Sequence, residues 1–110
     1  MPKVRVAILG ASGLVSQRMQ QRLSMHPWFE LVAAAGQLGG TKLSEIDWFL
    51  DENRPEFIRQ SDIRIFDIHD PNLAVKLSEA GAQIVFSALP SQPALHIEKN
   101  LNEAGLHVFS

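Results

Sequence analysis

The chain of 110 residues contains no cysteine, so it carries neither a disulfide framework nor a thiolate nucleophile. An excess of charge is missing too: ten basic against twelve acidic side chains leave a net charge of −2 and a pI near 6.0. That balance gives no electrostatic footprint for nucleic acid or for an anionic membrane, and neither is expected as a partner. No apolar run reaches the length of about 18 residues that a membrane helix needs. Met1-Pro2-Lys3 leads straight into a strand and leaves no room for a secretory signal, so the expected location is cytoplasmic. The histidines His26, His69, His96 and His107 fall on different elements without ligand spacing, and His96-Ile97-Glu98 is not a zinc motif. No metal site is expected. Asp47, Asp51 and Glu52 read as loop charges, and no repeat or low-complexity tract interrupts the chain.

What is present is an ordinary globular composition, 45% apolar and 20% charged, in one domain spanning 1–110 that can bury roughly two-thirds of its unfolded surface. Lys3 to Leu9 is an apolar run rich in β-branched residues, the pattern of a buried parallel strand. It ends in Gly10-Ala11-Ser12-Gly13, and an amphipathic helix follows from Gly13 to about Met25, with Val15, Met19 and Leu23 as its apolar stripe and Leu14 alongside. His26-Pro27 stops it. Phe29 to Ala35 is a second apolar strand, closed by Gly36. The stretch from Gln37 to Gln60 is irregular, with one or two helical turns expected over Ser44 to Leu50, turning Ile46, Phe49 and Leu50 inward. Ile63 to Phe66 reads as a short strand near the sheet edge. Asp70-Pro71 starts a helix, aspartate capping and proline in the first turn, with Leu73, Leu77 and Ala80 buried and Gly81 as terminator. Ile84 to Leu89 is a continuous apolar strand, Ser91 to Ala104 a helix carrying Ile97, Leu101 and Ala104 inward, and Leu106 to Ser110 a fifth strand.

This alternation predicts an α/β fold: a three-layer, doubly wound parallel sheet of the Rossmann-like kind, strand order 3-2-1-4-5, incomplete at the carboxyl end. The order reverses between the first and fourth strands, and a crevice opens there. The glycine turn and Ser87-Ala88-Leu89-Pro90 both lie at it. Backbone N–H groups and the positive end of a helix at such a turn form an anion cradle, so a small-molecule dinucleotide is the expected ligand. Ser12 adds a hydroxyl that suits either a phosphate oxygen or the helix cap. Ser16 stands where a dinucleotide fingerprint has glycine or alanine, and is small enough for helix–strand packing. The acid that usually grips a ribose, about 20 residues on, has no counterpart at Ala35-Gly36-Gln37. Glu30 has the interval but sits at the wrong end of its strand. Lys42, the one cation nearby, reads equally well as a 2′-phosphate ligand or a solvated loop lysine. Trp48-Phe49 is expected to cover a sheet edge.

Three phrases, residues 6–15 with Gln17-Arg18, His26-Pro27-Trp28-Phe29-Glu30-Leu31, and Ile84 to Ser91, together resemble the amino-terminal cofactor domain of the aspartate-semialdehyde dehydrogenase family, archaeal and fungal type. The resemblance implies an oxidoreductase: NADPH-dependent reduction of aspartyl phosphate to aspartate semialdehyde, on the route to lysine, methionine and threonine, in a homo-oligomeric parent enzyme, with NADP as cofactor and NAD as the other possibility. It places Gly10, Ser12, Gly13, Leu14 and Val15 on the dinucleotide phosphates, Ala35 and Gly36 beside the adenosine, and Ser87, Ala88 and Leu89 on the nicotinamide side. A malonyl-CoA reductase-like acyl reductase uses similar phrases and stands as an alternative, as does a non-catalytic nucleotide-binding or oligomerisation module. Two departures bear on the cofactor: Ser16 replaces the third glycine, and Leu38-Gly39-Gly40 stands where the family has an arginine for the 2′-phosphate. The family's nucleophilic cysteine and its general-base histidine belong to later sequence, so no catalytic residue is assigned and the chain alone is expected to be inactive.

Overall fold

A computed structural model describes residues 3–10, 14–24, 26–37, 39–48, 58, 61–89 and 91–109. Among them run β1 (Val4–Leu9), α1 (Leu14–Ser24), β2 (Phe29–Gly36), a 3-10 turn (Leu43–Glu45), β3 (Ile65–Asp67), α2 (Leu73–Glu79), β4 (Ile84–Ser87), α3 (Ser91–Glu103) and β5 (His107–Phe109). All strands are parallel, in the order β3-β2-β1-β4-β5, the order and class the alternation of strands and helices predicts.

β1 lies at the centre, and Val6, Ala7, Ile8 and Leu9 are fully buried because both faces of the sheet are covered there. On one face Ala7, Leu9 and Val85 pack with Leu73 and Leu77 of α2 and Leu101 of α3. On the other, Val6, Ile8 and Leu31 pack with Leu23 of α1 and with Leu43, Ile46 and Ile58 of the β2–β3 connection. Between Val6 and Ala7 the register with β2 shifts, Val6 pairing Leu31 but Ala7 pairing Ala33. The extra residue, Val32, reverses the alternation of β2. Leu31 faces α1, yet Ala33 and Ala35 both join the opposite core.

α1 departs from its expected orientation. Val15 is 66% exposed, Met19 is only half-buried, and the inward positions are Ser16, Gln17, Gln20 and Leu23. Hydrogen bonds make the polar face tolerable: Gln20 Nε2 donates to Ser16 Oγ at 3.1 Å, and Gln17 Nε2 donates to the Asp47 carbonyl at 2.7 Å. Ser16 thus serves close helix–sheet packing, as its size suggests, and Gln17 ties α1 to the β2–β3 connection.

Among its described residues, that connection holds a 3-10 turn over Leu43–Glu45, closed by the Lys42 N–H donating to Glu45 Oε1 at 2.9 Å, and residues 46–48 are not helical. Ile46 is buried as expected; Phe49 and Leu50 lie outside the described residues. Residues 39–43 then descend along the outer edge of β3. Gly40 N–H donates to the Ile65 carbonyl, Ile65 N–H to Thr41, and Leu43 N–H to Ile63, each at 2.8 Å. The edge strand is therefore covered by its own connection, and β3 starts two residues later than the apolar alternation suggests.

Asp70 caps a turn rather than the helix itself: its Oδ1 accepts from Asn72 N–H at 2.8 Å, its carboxylate pairs with Lys76, and regular helix begins only at Leu73. The Lys76 hydrogen bond, and after it the Asn72 N–H, hold the Asp70 carboxyl below its ordinary value. Leu73 and Leu77 are buried, but Ala80 and Ala104 are exposed, because each falls at the end of its helix, past the last turn that touches the sheet. Gly81 and Gly105 follow these helices with φ of 97° and 96°.

Candidate functional site

The carboxyl ends of β2, β1 and β4 are laced together by backbone. Gly10 N–H donates to the Ala35 carbonyl at 2.7 Å, and Ala88 N–H donates to the Leu9 carbonyl at 3.1 Å. The ladders on both sides of β1 thus continue past its last residue, and the chain must then turn sharply over the sheet. Gly10 does so with φ of 86°, a conformation that a side chain disfavours. Space adds a second demand. A Cβ on Gly10 would lie 3.2 Å from the Ala88 carbonyl oxygen and 3.5 Å from Leu89 Cδ2. The loop after β4 therefore lies close against Gly10 and leaves little room for a side chain there.

Of the residues the sequence assigns to this site, the structure brings Gly10, Ala35, Gly36, Ser87, Ala88 and Leu89 to adjoining strand ends. Ala35 and Gly36 are buried, and Ser87 is buried with its Oγ 3.5 Å from Leu89 N. Val15, the second residue of α1, is exposed. Leu14 begins the helix. Ser12 and Gly13 lie outside the described residues.

Lys42 is not at this end of the sheet. It bridges Arg64, three residues before Asp67, which places it about 10 Å down the strand at 3.3 Å per residue. Its ammonium lies 3.8 Å from the carboxylate of the exposed Asp62, the arrangement of a solvated loop lysine. Glu30 pairs with Arg5 near the amino end of β2, as its place in the sequence implies. Trp48 is half-buried; Phe49 is outside the described residues.

Sequence reasoning missed one residue here. β2 ends without a carboxylate, but the β2–β3 register pairs Gly36 with Asp67, so an acid from the neighbouring strand stands beside the empty position. The signal was available in Ile65-Phe66-Asp67, an acid closing a short edge strand; its lateral neighbour could be known only from the pairing.

A cavity of about 430 Å³ opens just past Asp67, between α2 and α3. Ile68, Leu73 and Leu101 form its apolar floor, with His69, Asp70 and His96 at the rim. His96 Nε2 lies 3.4 Å from Asn100 Nδ2, and no cluster of His, Cys, Asp and Glu able to hold a metal occurs among the described residues.

Comparison with known proteins accords with this geometry. The chain is 37% identical over 108 residues to aspartate-semialdehyde dehydrogenase of Archaeoglobus fulgidus, a match covering 96% of this chain and 29% of the relative. It is 32% identical over 108 residues to N-acetyl-gamma-glutamyl-phosphate reductase of Wolinella succinogenes, covering 98% of this chain and 28% of that one. Among solved structures, aspartate-semialdehyde dehydrogenase with NADP from Candida albicans superposes with a TM-score of 0.78 at 32% identity, over 96% of this chain and 28% of the other. The chain thus spans less than a third of the length of these relatives. The family model described as semialdehyde dehydrogenase, NAD binding domain, matches residues 5–110, and with the parallel order 3-2-1-4-5 and the glycine turn at its switch point, the chain belongs to that family.

Proposed function

We propose that residues 1–110 form a domain that holds a nicotinamide dinucleotide across the carboxyl ends of β4, β1 and β2. Gly10, Ser12, Gly13, Leu14 and Val15 take its phosphates, Ala35 and Gly36 lie beside the adenosine, and Ser87, Ala88 and Leu89 line the nicotinamide side. The observation that supports this reading is the place of Gly10 at the switch point, with a φ of 86° and with the Ala88 carbonyl oxygen 3.2 Å from where a Cβ would stand, so that the turn presents backbone there. NADP is the cofactor bound in the Candida albicans relative, and NADP or NAD is proposed for this chain. Its chemistry would be hydride transfer.

The activity served is that of aspartate-semialdehyde dehydrogenase, reduction of an acyl phosphate to an aldehyde, with a malonyl-CoA reductase-like acyl reduction as the alternative. This chain's part is to bind and orient the dinucleotide. It has no cysteine to attack an acyl group, so it is expected to be inactive alone. Titration of the chain with NADPH and NADH, followed by calorimetry or nucleotide fluorescence, tests the reading: saturable binding of at least one below millimolar is expected, and none would refute it. Gly13→Val is expected to abolish that binding, since a branched side chain blocks backbone approach to the pyrophosphate.

A second reading, a nucleotide-binding module that associates with partners, draws on β5. His107 and Phe109 of this edge strand are exposed, and Phe86 beside them is only half-buried, where a parallel sheet is ordinarily covered. Light scattering with and without nucleotide separates the two, because only the second requires association that responds to the ligand.

A further inference from the structure

In doubly wound sheets the ribose of a bound dinucleotide lies over the carboxyl end of the second strand, gripped by an acid carried on that strand. Here that end is Ala35-Gly36-Gln37, with nothing to grip. Four observations place Asp67 in the vacant role. Its backbone pairs laterally with Gly36, about 4.8 Å away at ordinary strand spacing, and the Ile68 N–H donates to the Gly36 carbonyl at 3.0 Å, so the pairing persists beyond the strand. Gly36 has no side chain to intervene. A Cβ on Gly39 would lie 3.0 Å from both Cα and Cβ of Asp67, so the returning connection packs directly against the aspartate. Lastly, Asp67 Oδ1 accepts from His69 N–H at 2.9 Å, which turns the exposed carboxylate toward the residues that follow β3 and leaves Oδ2 available to accept from a ligand.

We propose that Asp67 is the residue of this chain that discriminates at the adenosine 2′ position, its carboxylate accepting from a 2′-hydroxyl and repelling a 2′-phosphate. The assignment rests on the dinucleotide reading above. Among the described residues, the two cations of the connection are engaged elsewhere. Lys42 lies down the strand beside Asp62, and Arg64 Nη1 donates to the Gly40 carbonyl at 2.9 Å.

The test is titration of the full chain and of Asp67→Asn with NADH and NADPH, repeated with 5′-AMP and 2′,5′-ADP as fragments that differ only at the 2′ position. Asparagine keeps an oxygen for the His69 N–H and removes the charge; Asp67→Ser does the same with a shorter side chain, should asparagine disturb the turn. NADPH affinity is expected to rise relative to NADH by about tenfold in both variants, the factor of one partly hydrated like-charge contact. The gain should shrink as salt is added. If both nucleotides bind saturably but their affinity ratio stays within about twofold of the parent in both variants, the assignment is overturned and the dinucleotide reading stands. Collapse of NADPH binding in Arg64→Gln, with that ratio unmoved by the Asp67 variants, would likewise overturn it and put Arg64 at the 2′ position. Absence of saturable binding of either nucleotide to the parent chain refutes the dinucleotide reading, and the Asp67 assignment with it.

Discussion

Replacing Gly10 by alanine separates two costs that the structure assigns to one atom. The first is conformational. A φ of 86° holds a side-chain-bearing residue in the left-handed region at about 1–2 kcal/mol. The second is steric, since the new Cβ lies 3.2 Å from the Ala88 carbonyl oxygen, and opening the contact displaces the loop after β4. Forcing a methyl group into a packed site costs about 1–3 kcal/mol. Lower entropy of the unfolded chain returns about 0.4–1 kcal/mol. Gly10→Ala should therefore lose about 2–4 kcal/mol. Gly105→Ala is the matched control, with a φ of 96° but nothing within 4 Å of its Cβ and a place before β5, away from the crevice. It should lose only about 1 kcal/mol. At about 4–8 °C per kcal/mol, the difference of about 1–3 kcal/mol should separate the thermal melts of the variants, followed by circular dichroism, by about 4–24 °C. Nucleotide titration should show at least about a tenfold loss for Gly10→Ala and none for Gly105→Ala, because only the former moves the crevice wall. Equal melting temperatures together with unchanged nucleotide affinity in both would refute the idea that Gly10 is set by contact with Ala88 as well as by backbone angle.

Gln17→Leu keeps the volume but removes the donor to the Asp47 carbonyl, and should cost about 1–3 kcal/mol in urea unfolding, with faster amide exchange over residues 39–48. Leu77→Ala, at a fully buried position between α2 and the sheet, should cost about 2–5 kcal/mol by the same assay. Because the Asp70 carboxyl is depressed by Lys76 and the Asn72 N–H, its stabilising contribution is present at neutral pH and persists down to its unfolded value near 3.8. It is lost as pH falls further, through the folded value. Asp70→Asn should accordingly lower stability at pH 7 and flatten the acid limb of the stability profile below about pH 4, measured by denaturation across pH.

The strands were legible because burial on both faces leaves a continuous apolar run, as in Val6 to Leu9 and around Val85. Helix boundaries followed from Pro27, Gly81 and Gly105, whose backbone restrictions act locally. The face of α1 was not legible. Val15 and Met19 with Leu23 make a better apolar stripe, yet Ser16, Gln17 and Gln20 turn inward beside Leu23, their hydrogen bonds completed by the Asp47 carbonyl and by one another. A helical period reports which residues share a face. It does not report which face finds partners.

What the sequence determines by itself is the alternation of elements and, through it, the parallel sheet with its reversal at β1, since crossover handedness leaves few other arrangements. It also places the glycine turn and Ser87-Ala88-Leu89 at one crevice. Only the tertiary structure decides what is lateral to what. The register shift at Val32 turns Ala35 to the α2–α3 face, the connection over 39–43 seals the β3 edge, and strand pairing puts Asp67 beside Gly36. The physical reason is common to all three. Local propensity and periodicity act along the chain over a few residues, whereas register is set by hydrogen bonds and packing between segments some 30 residues apart, and no short-range pattern encodes it.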